Sequence, residues 1–147
     1  MLFKESKLAH KYLDGLIGVE IGGSAHNPFN ILGCNNVDYT NEITLFKKKE
    51  IELCGYYLPV DIVAYGDELP FDDNSIDYVV SSHVIEHFKN PLTALREWYR
   101  VIKSGGYVFT ICPHKMRTHD VNRQRTTLNE LIERDKNPEN SKDVHAH

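Results

Sequence analysis

The sequence predicts a doubly wound α/β fold: a mainly parallel sheet of about five strands, with helices on its faces. Three observations carry this. Short apolar or β-branched runs alternate along the chain with stretches of helical periodicity, which is the pattern of repeated strand–helix–strand units. Residues able to do chemistry gather just after the strand candidates, where doubly wound sheets hold their ligands. The composition, 147 residues with 41% hydrophobic and 26% charged, suits one domain with a core and is too apolar for a disordered chain.

Taken in order, Leu2, Phe3, Leu8, Ala9, Tyr12 and Leu13 recur at helical spacing before Asp14-Gly15 stops them, so a helix precedes the sheet. Leu16 to Ile21 is a glycine-bounded apolar run, which predicts a strand buried on both faces. Asn35 to Tyr39 is a short second strand. Glu42 to Leu53 predicts a helix carrying Leu45, Phe46, Ile51 and Leu53, with Lys47-Lys48-Lys49 as a solvated face. Val60 to Tyr65 and Ile76 to Ser82 predict the third and fourth strands, the latter rich in β-branched residues. Between them, Asp72-Asp73-Asn74-Ser75 is turn chemistry rather than a catalytic carboxylate pair. Asn90 caps the next helix and Pro91 sits in its first turn. Leu92, Leu95, Tyr99 and Ile102 share a face before Gly105-Gly106 ends it, and Trp98 and Tyr99 read as core. Tyr107 to Cys112 is the fifth strand. Thr127 then caps a short helix, with Glu130 closing a capping box and Leu128, Leu131 and Ile132 on its apolar face. Residues 1–114 thus form the core, and residues 115–147 a C-terminal helix and polar tail.

Charge and cysteines exclude several classes of function. A net charge of -4 and a pI near 6.0 argue against nucleic acid as a partner. Cys34, Cys54 and Cys112 are odd in number and unpaired in spacing, so they read as reduced, mostly buried residues. No apolar segment reaches membrane-spanning length and the N-terminus lacks a signal peptide's apolar core, which predicts a cytoplasmic protein without a membrane partner.

The loop Val19-Glu20-Ile21-Gly22-Gly23-Ser24 lacks the G-x-G-x-x-G of a dinucleotide site, yet Asp38 follows Glu20 by 18 positions at the end of the second strand. A carboxylate there can accept from both hydroxyls of a ribose. Glu20 is unhelpful beside a pyrophosphate but suits an ammonium group. A ligand with both a ribose and an ammonium fits, and S-adenosylmethionine is one.

These blocks, with L-P-F-D-D-N-S-I-D-Y-V-V-S-S-H-V-I-E-H-F and R-E-W-Y-R-V-I-K-S-G-G-Y-V-F-T-I-C-P-H-K, resemble the class I S-adenosylmethionine-dependent methyltransferases, from about Gly18 to Arg117. The resemblance implies a Rossmann-like sheet and a methyl transfer to a small-molecule or glycan-like acceptor. It places Glu20, Gly22, Gly23 and Ser24 around the methionine part, Asp38 on the ribose, Tyr65, Gly66 and Asp67 near the adenine, and Ser82 and His83 beside the cofactor. His83, His87 and His114 are the candidate general bases. Three departures from the family pattern stand out. Ser24 and His26 replace glycines of the commoner loop, Tyr65 stands where an acid is common, and the usual last two strands are missing. The third departure leaves the fifth strand at a sheet edge, to be covered by the C-terminal helix or by a second copy in a homodimer.

Two other readings compete. A non-catalytic binding or interaction module would keep the fold without turnover. His83-Val84-Ile85-Glu86-His87 matches H-x-x-E-H, the inverted zinc-peptidase signature, but it directly follows a parallel strand and the distal ligand region is lacking. We therefore expect no metal, whether for peptidase chemistry or through Glu86, His87 and His114, and expect Glu86 to cap and His87 to pack at the helix start.

Overall fold

The computed structural model describes residues 4–137, with β1 (Gly18–Ile21) at the centre of one sheet. Around it run α1 (Ser6–Leu13), β2 (Asn35–Asp38), α2 (Leu45–Cys54), β3 (Ile62–Val63), β4 (Ile76–Ser82), α3 (Pro91–Val101), β5 (Ile102–Ile111) and α4 (Leu128–Lys136). The strand order is β3-β2-β1-β4-β5, every neighbour parallel. The chain winds outward from β1 to β3, then returns to the other side of β1 for β4 and β5. The carboxyl ends of β1 and β4 therefore flank the point where strand order reverses, the crevice in which such sheets hold ligands.

Alternation along the central strands sorts the core into two layers. Val19, Ile21, Val79, Ala94, Trp98 and Val101 pack on the α3 face, whereas Ala9, Leu13, Phe29, Tyr78 and Val80 pack on the α1 face. All four residues of β1 are buried, as a strand covered on both faces requires. Gly18 is there because Tyr78 is close; a Cβ at Gly18 would meet the Tyr78 carbonyl at 2.4 Å.

Several faces differ from expectation. In α1 the buried residues are Ser6, Ala9 and Leu13, while Leu8 and Tyr12 are exposed, because the Ser6 hydroxyl turns inward to donate to the Phe29 carbonyl at 3.0 Å. Leu2 and Phe3 lie outside the described residues, as does the tail beyond Asn137. In α3, Trp98 is core but Tyr99 is exposed, and the inward residues are Ala94, Trp98 and Val101. That helix does not end at Gly105-Gly106. It ends at Val101, and Ile102 enters β5 directly; Gly105 (φ 82°) and Gly106 lie at an irregularity in β5, where a Cβ on Gly106 would meet the Asp77 carbonyl at 2.3 Å. The third strand shrinks to two residues. Lys47 is buried rather than solvated, and Cys112 is exposed rather than buried.

The turn before β4 is pinned by one guanidinium. Arg100 donates to the Phe71 and Leu69 carbonyls and pairs with Asp73 and Glu97, which lowers the Glu97 carboxyl and keeps Asp73 structural. Both predicted caps form, Asn90 on α3 and the Thr127–Glu130 box on α4. Helix α4 packs on α3 through Asp135, which accepts from Asn90 and Arg96. Among the described residues it does not run along β5, so the helix expected to cover that edge packs on α3 instead.

Candidate active site

The loop after β1 is positioned by polar side chains from β2 and α2. Gly22 takes φ 64° and donates to the Val37 carbonyl at 2.8 Å. The Gly23 N–H donates to Asn36 Oδ1 at 2.9 Å, while the Asn36 amide donates to the Pro59 carbonyl. Space at Gly23 is tight: a Cβ there would meet Asn36 Oδ1 at 2.7 Å and Glu20 Cδ at 3.0 Å. Ser24 Oγ accepts from His26 N–H, and the Ala25 N–H donates to Glu50 on α2, which also accepts from Leu58 N–H at 3.3 Å. Glu50 is therefore buried by use, tying two loops with one carboxylate.

Glu20 is buried at the end of β1 with no hydrogen bond or ion pair among the described residues. Burial without compensation pushes its carboxyl up to about 8. Asp38, at the end of β2, differs. Its Oδ1 accepts from Tyr39 N–H at 2.7 Å and its Oδ2 lies 3.7 Å from Lys47 Nζ. Lys47, only 4% exposed, also donates to the Thr40 carbonyl. Its ammonium thus lies beside Asp38, whose oxygens keep lone pairs that can accept.

Across the crevice, Ser82 ends β4 and the His83 N–H donates to the Ile111 carbonyl at 2.9 Å, with His83 in a left-handed conformation (φ 55°). Gly66 packs behind the site: a Cβ there would meet Ile21 and Phe88, and its carbonyl accepts from Trp98 Nε1 at 2.7 Å. Tyr65 is exposed and bridges to Glu68 beside Asp67. Beyond β4 and β5 lies a cleft of about 390 Å³ lined by His83, Glu86, Pro113, His114, Arg117 and Thr118. It brings together two of the three candidate bases. His87 is not on it: its ring is 61% exposed, in the single-turn helix Ile85–His87, 3.9 Å from Glu86. His87 neither packs nor lies one α-helical turn from His83, and Asn90 supplies the cap of α3. Among the described residues no three His, Cys, Asp or Glu side chains converge to hold a metal, so H-x-x-E-H has no geometric support.

Asn36, Glu50 and Arg117 were not singled out in the sequence, and Lys47 was read there as solvated. The signal for α2 lay in its angles: at 100° per residue Leu45, Phe46 and Leu53 share one side, and Ile51 falls with Lys47 and Glu50 on the other.

Comparison with known proteins gives a consistent result. Residues 23–110 match the model of a methyltransferase domain. An uncharacterised protein of Methanocaldococcus jannaschii is 34% identical over 96 residues, 62% of this chain and 42% of its own length. The demethylmenaquinone methyltransferase of Staphylococcus epidermidis is 46% identical over 48 residues, 31% of this chain and 20% of its own. The chain thus spans less than half the length of these curated relatives. A SAM-dependent methyltransferase of Thermotoga maritima superposes with a TM-score of 0.58 at 21% identity, over 88% of this chain and 66% of that one, a likeness of fold.

Proposed function

The chain belongs to the methyltransferase-domain family, whose class I members use S-adenosylmethionine, and from that premise we propose that it binds this cofactor between β1, β2 and β4 and methylates a small acceptor in the adjoining cleft. The observation that carries the reading is Glu20, a buried carboxyl with no hydrogen bond or ion pair among the described residues, beside Gly23, where a Cβ would meet Glu20 Cδ at 3.0 Å. A cationic amino group brought against it would relieve the cost of its burial. Gly22, Gly23 and Ser24 shape the pocket for the methionine part, Asp38 accepts from the ribose hydroxyls, and Tyr65, Gly66 and Asp67 border the base. Ser82 and His83 form the opposite wall.

Bound there, the cofactor supplies an electrophilic methyl group on a sulfonium. The protein holds the acceptor's nucleophile in line with it, which removes much of the barrier, and His83 or His114 on the cleft takes the proton the nucleophile loses. His87 is the weaker candidate because it lies off the cleft. The quinone acceptor in a relative's name favours a small-molecule acceptor, with a glycan-like one as the other class. The same reading expects the chain in the cytoplasm and paired with a second copy along β5; no described helix is long and apolar enough to cross a membrane.

Calorimetry with S-adenosylmethionine and S-adenosylhomocysteine tests the proposal. Asp38→Asn is the informative variant beside Asp38→Ala, since it keeps an acceptor for Tyr39 N–H. We expect saturable binding weakened at least tenfold, about 1.4 kcal/mol, by either change. A folded chain that binds neither ligand refutes the cofactor site, and binding without turnover on any acceptor favours the interaction module.

A further inference from the structure

We propose that the cleft beyond β4 and β5 selects acceptors carrying an anionic group, with Arg117 as its anchor; this rests on the methyltransferase reading for the word acceptor, but not for the anion. Arg117 lines the cleft together with His83, Glu86, Pro113, His114 and Thr118. Its guanidinium makes no hydrogen bond or ion pair among the described residues, although other arginines near the sheet are engaged, Arg100 with Asp73 and Glu97, Arg96 with Asp135. Five N–H donors in a planar fork, exposed at the wall of a cleft and met by no acceptor among the described residues, match a carboxylate or a phosphate better than any neutral group.

The backbone fixes the turn that carries Arg117. The Arg117 N–H donates to the His114 carbonyl at 2.8 Å, and the Thr118 hydroxyl donates to the Lys115 carbonyl at 3.0 Å, closing the turn on which Arg117 stands. Thr118 then accepts from Asp120 N–H and caps the next short helix. The local charge agrees. In a chain of net charge -4, residues 114–125 hold Lys115, Arg117, Arg123 and Arg125 against Asp120 alone. Asp120 is taken by Arg123 at 2.9 Å. Glu86 is the one carboxylate on the cleft, and it has a neighbour outside it, His87 Nε2 at 3.9 Å. An acceptor held by Arg117 through its anionic end leaves its other end toward His83, at the junction with the cofactor crevice. The charged group is thus an address and the nucleophile is carried elsewhere on the same molecule.

The test uses the full chain and three ring-matched probes: benzoate, phenyl phosphate and neutral benzyl alcohol. Ring-proton resonances of His83 and His114 report occupancy by NMR, and calorimetry with S-adenosylhomocysteine runs in parallel. We expect saturable shifts with benzoate or phenyl phosphate and none with benzyl alcohol. Arg117→Ala weakens the anion at least tenfold, Arg117→Lys restores part of it, and neither changes S-adenosylhomocysteine affinity by more than about twofold. Preference for one anion assigns the acceptor's group as carboxylate or phosphate. Equal response to benzyl alcohol, or anion binding undiminished in Arg117→Ala, overturns the proposal. Arg117-dependent anion binding in a chain that fails to bind S-adenosylhomocysteine removes the methyltransferase reading and leaves the anion site standing.

Discussion

Glu20 enters neutral solution largely as a carboxylic acid, because burial lifts it to about 8 from its ordinary value of 4.5. A folded-state value raised above the unfolded one means that the contribution of Glu20 to stability is full below about pH 4.5 and is lost as pH rises towards 8. An ammonium ligand reverses the preference and takes the carboxylate, so binding releases a proton near pH 7 and affinity rises from pH 6 to 7.5. Calorimetry of S-adenosylhomocysteine in buffers of different ionisation enthalpy measures that release. Glu20→Gln is expected to abolish it, flatten the pH dependence of stability and weaken binding at least tenfold; an unchanged proton count in the variant would remove Glu20 from the site. His83 offers a second test. Asn30 and Asn74 share its left-handed conformation, but asparagine tolerates it more readily than histidine does. His83→Gly should leave stability unchanged or raise it by up to ~1 kcal/mol, while turnover falls by about a hundredfold or more. Thermal melting and rate measurements on the same preparation separate the two. At this scale Glu20, Gly23 and Asp38 could be singled out as candidates in the sequence because each breaks a local pattern at a strand end. Lys47, Glu50 and Arg117 were not, since a charged residue in a charged stretch gives no sign of which way it faces.

Helix α2 is the element whose interior and exterior are exchanged relative to its composition. Lys47 and Glu50 face inward, and Leu45, Phe46 and Leu53 are exposed. The inward pair is what holds the loop after β1 and Asp38, so polar burial here is a means of fixing geometry. Glu50→Ala strands the N–H groups of Ala25 and Leu58 and should cost ~1–3 kcal/mol, with S-adenosylhomocysteine binding weakened. Glu52→Ala, exposed on the same helix, should change neither. Denaturant unfolding of the two variants checks this, and equal losses would contradict a specific role for Glu50. The start of α3 was readable because Asn90 and Pro91 are chemically suited to a helix start. Its end was not, because nothing in the local sequence separates a helix-ending glycine pair from one that lets a strand pass close to Asp77.

For the whole molecule, the sheet itself was predictable, five parallel strands from five periodic runs, while the order β3-β2-β1-β4-β5 follows from winding rather than from any single residue. That order leaves β5 paired on one side only among the described strands, with Tyr107 and Val108 exposed. We expect the chain to sediment as a concentration-dependent dimer; a single monomeric species across the micromolar range rules out pairing along β5. The same order governs how the chain is made. No two neighbouring strands can close as a hairpin, and β1 has no β4 beside it until residue 82 has been synthesised. At ~5–20 residues per second, the ribosome leaves β1 with one flank unpaired for several seconds. Nascent chains therefore carry an unprotected apolar strand for much of their synthesis, and the yield of folded protein should depend on translation speed and on the chaperones that meet it at the exit tunnel.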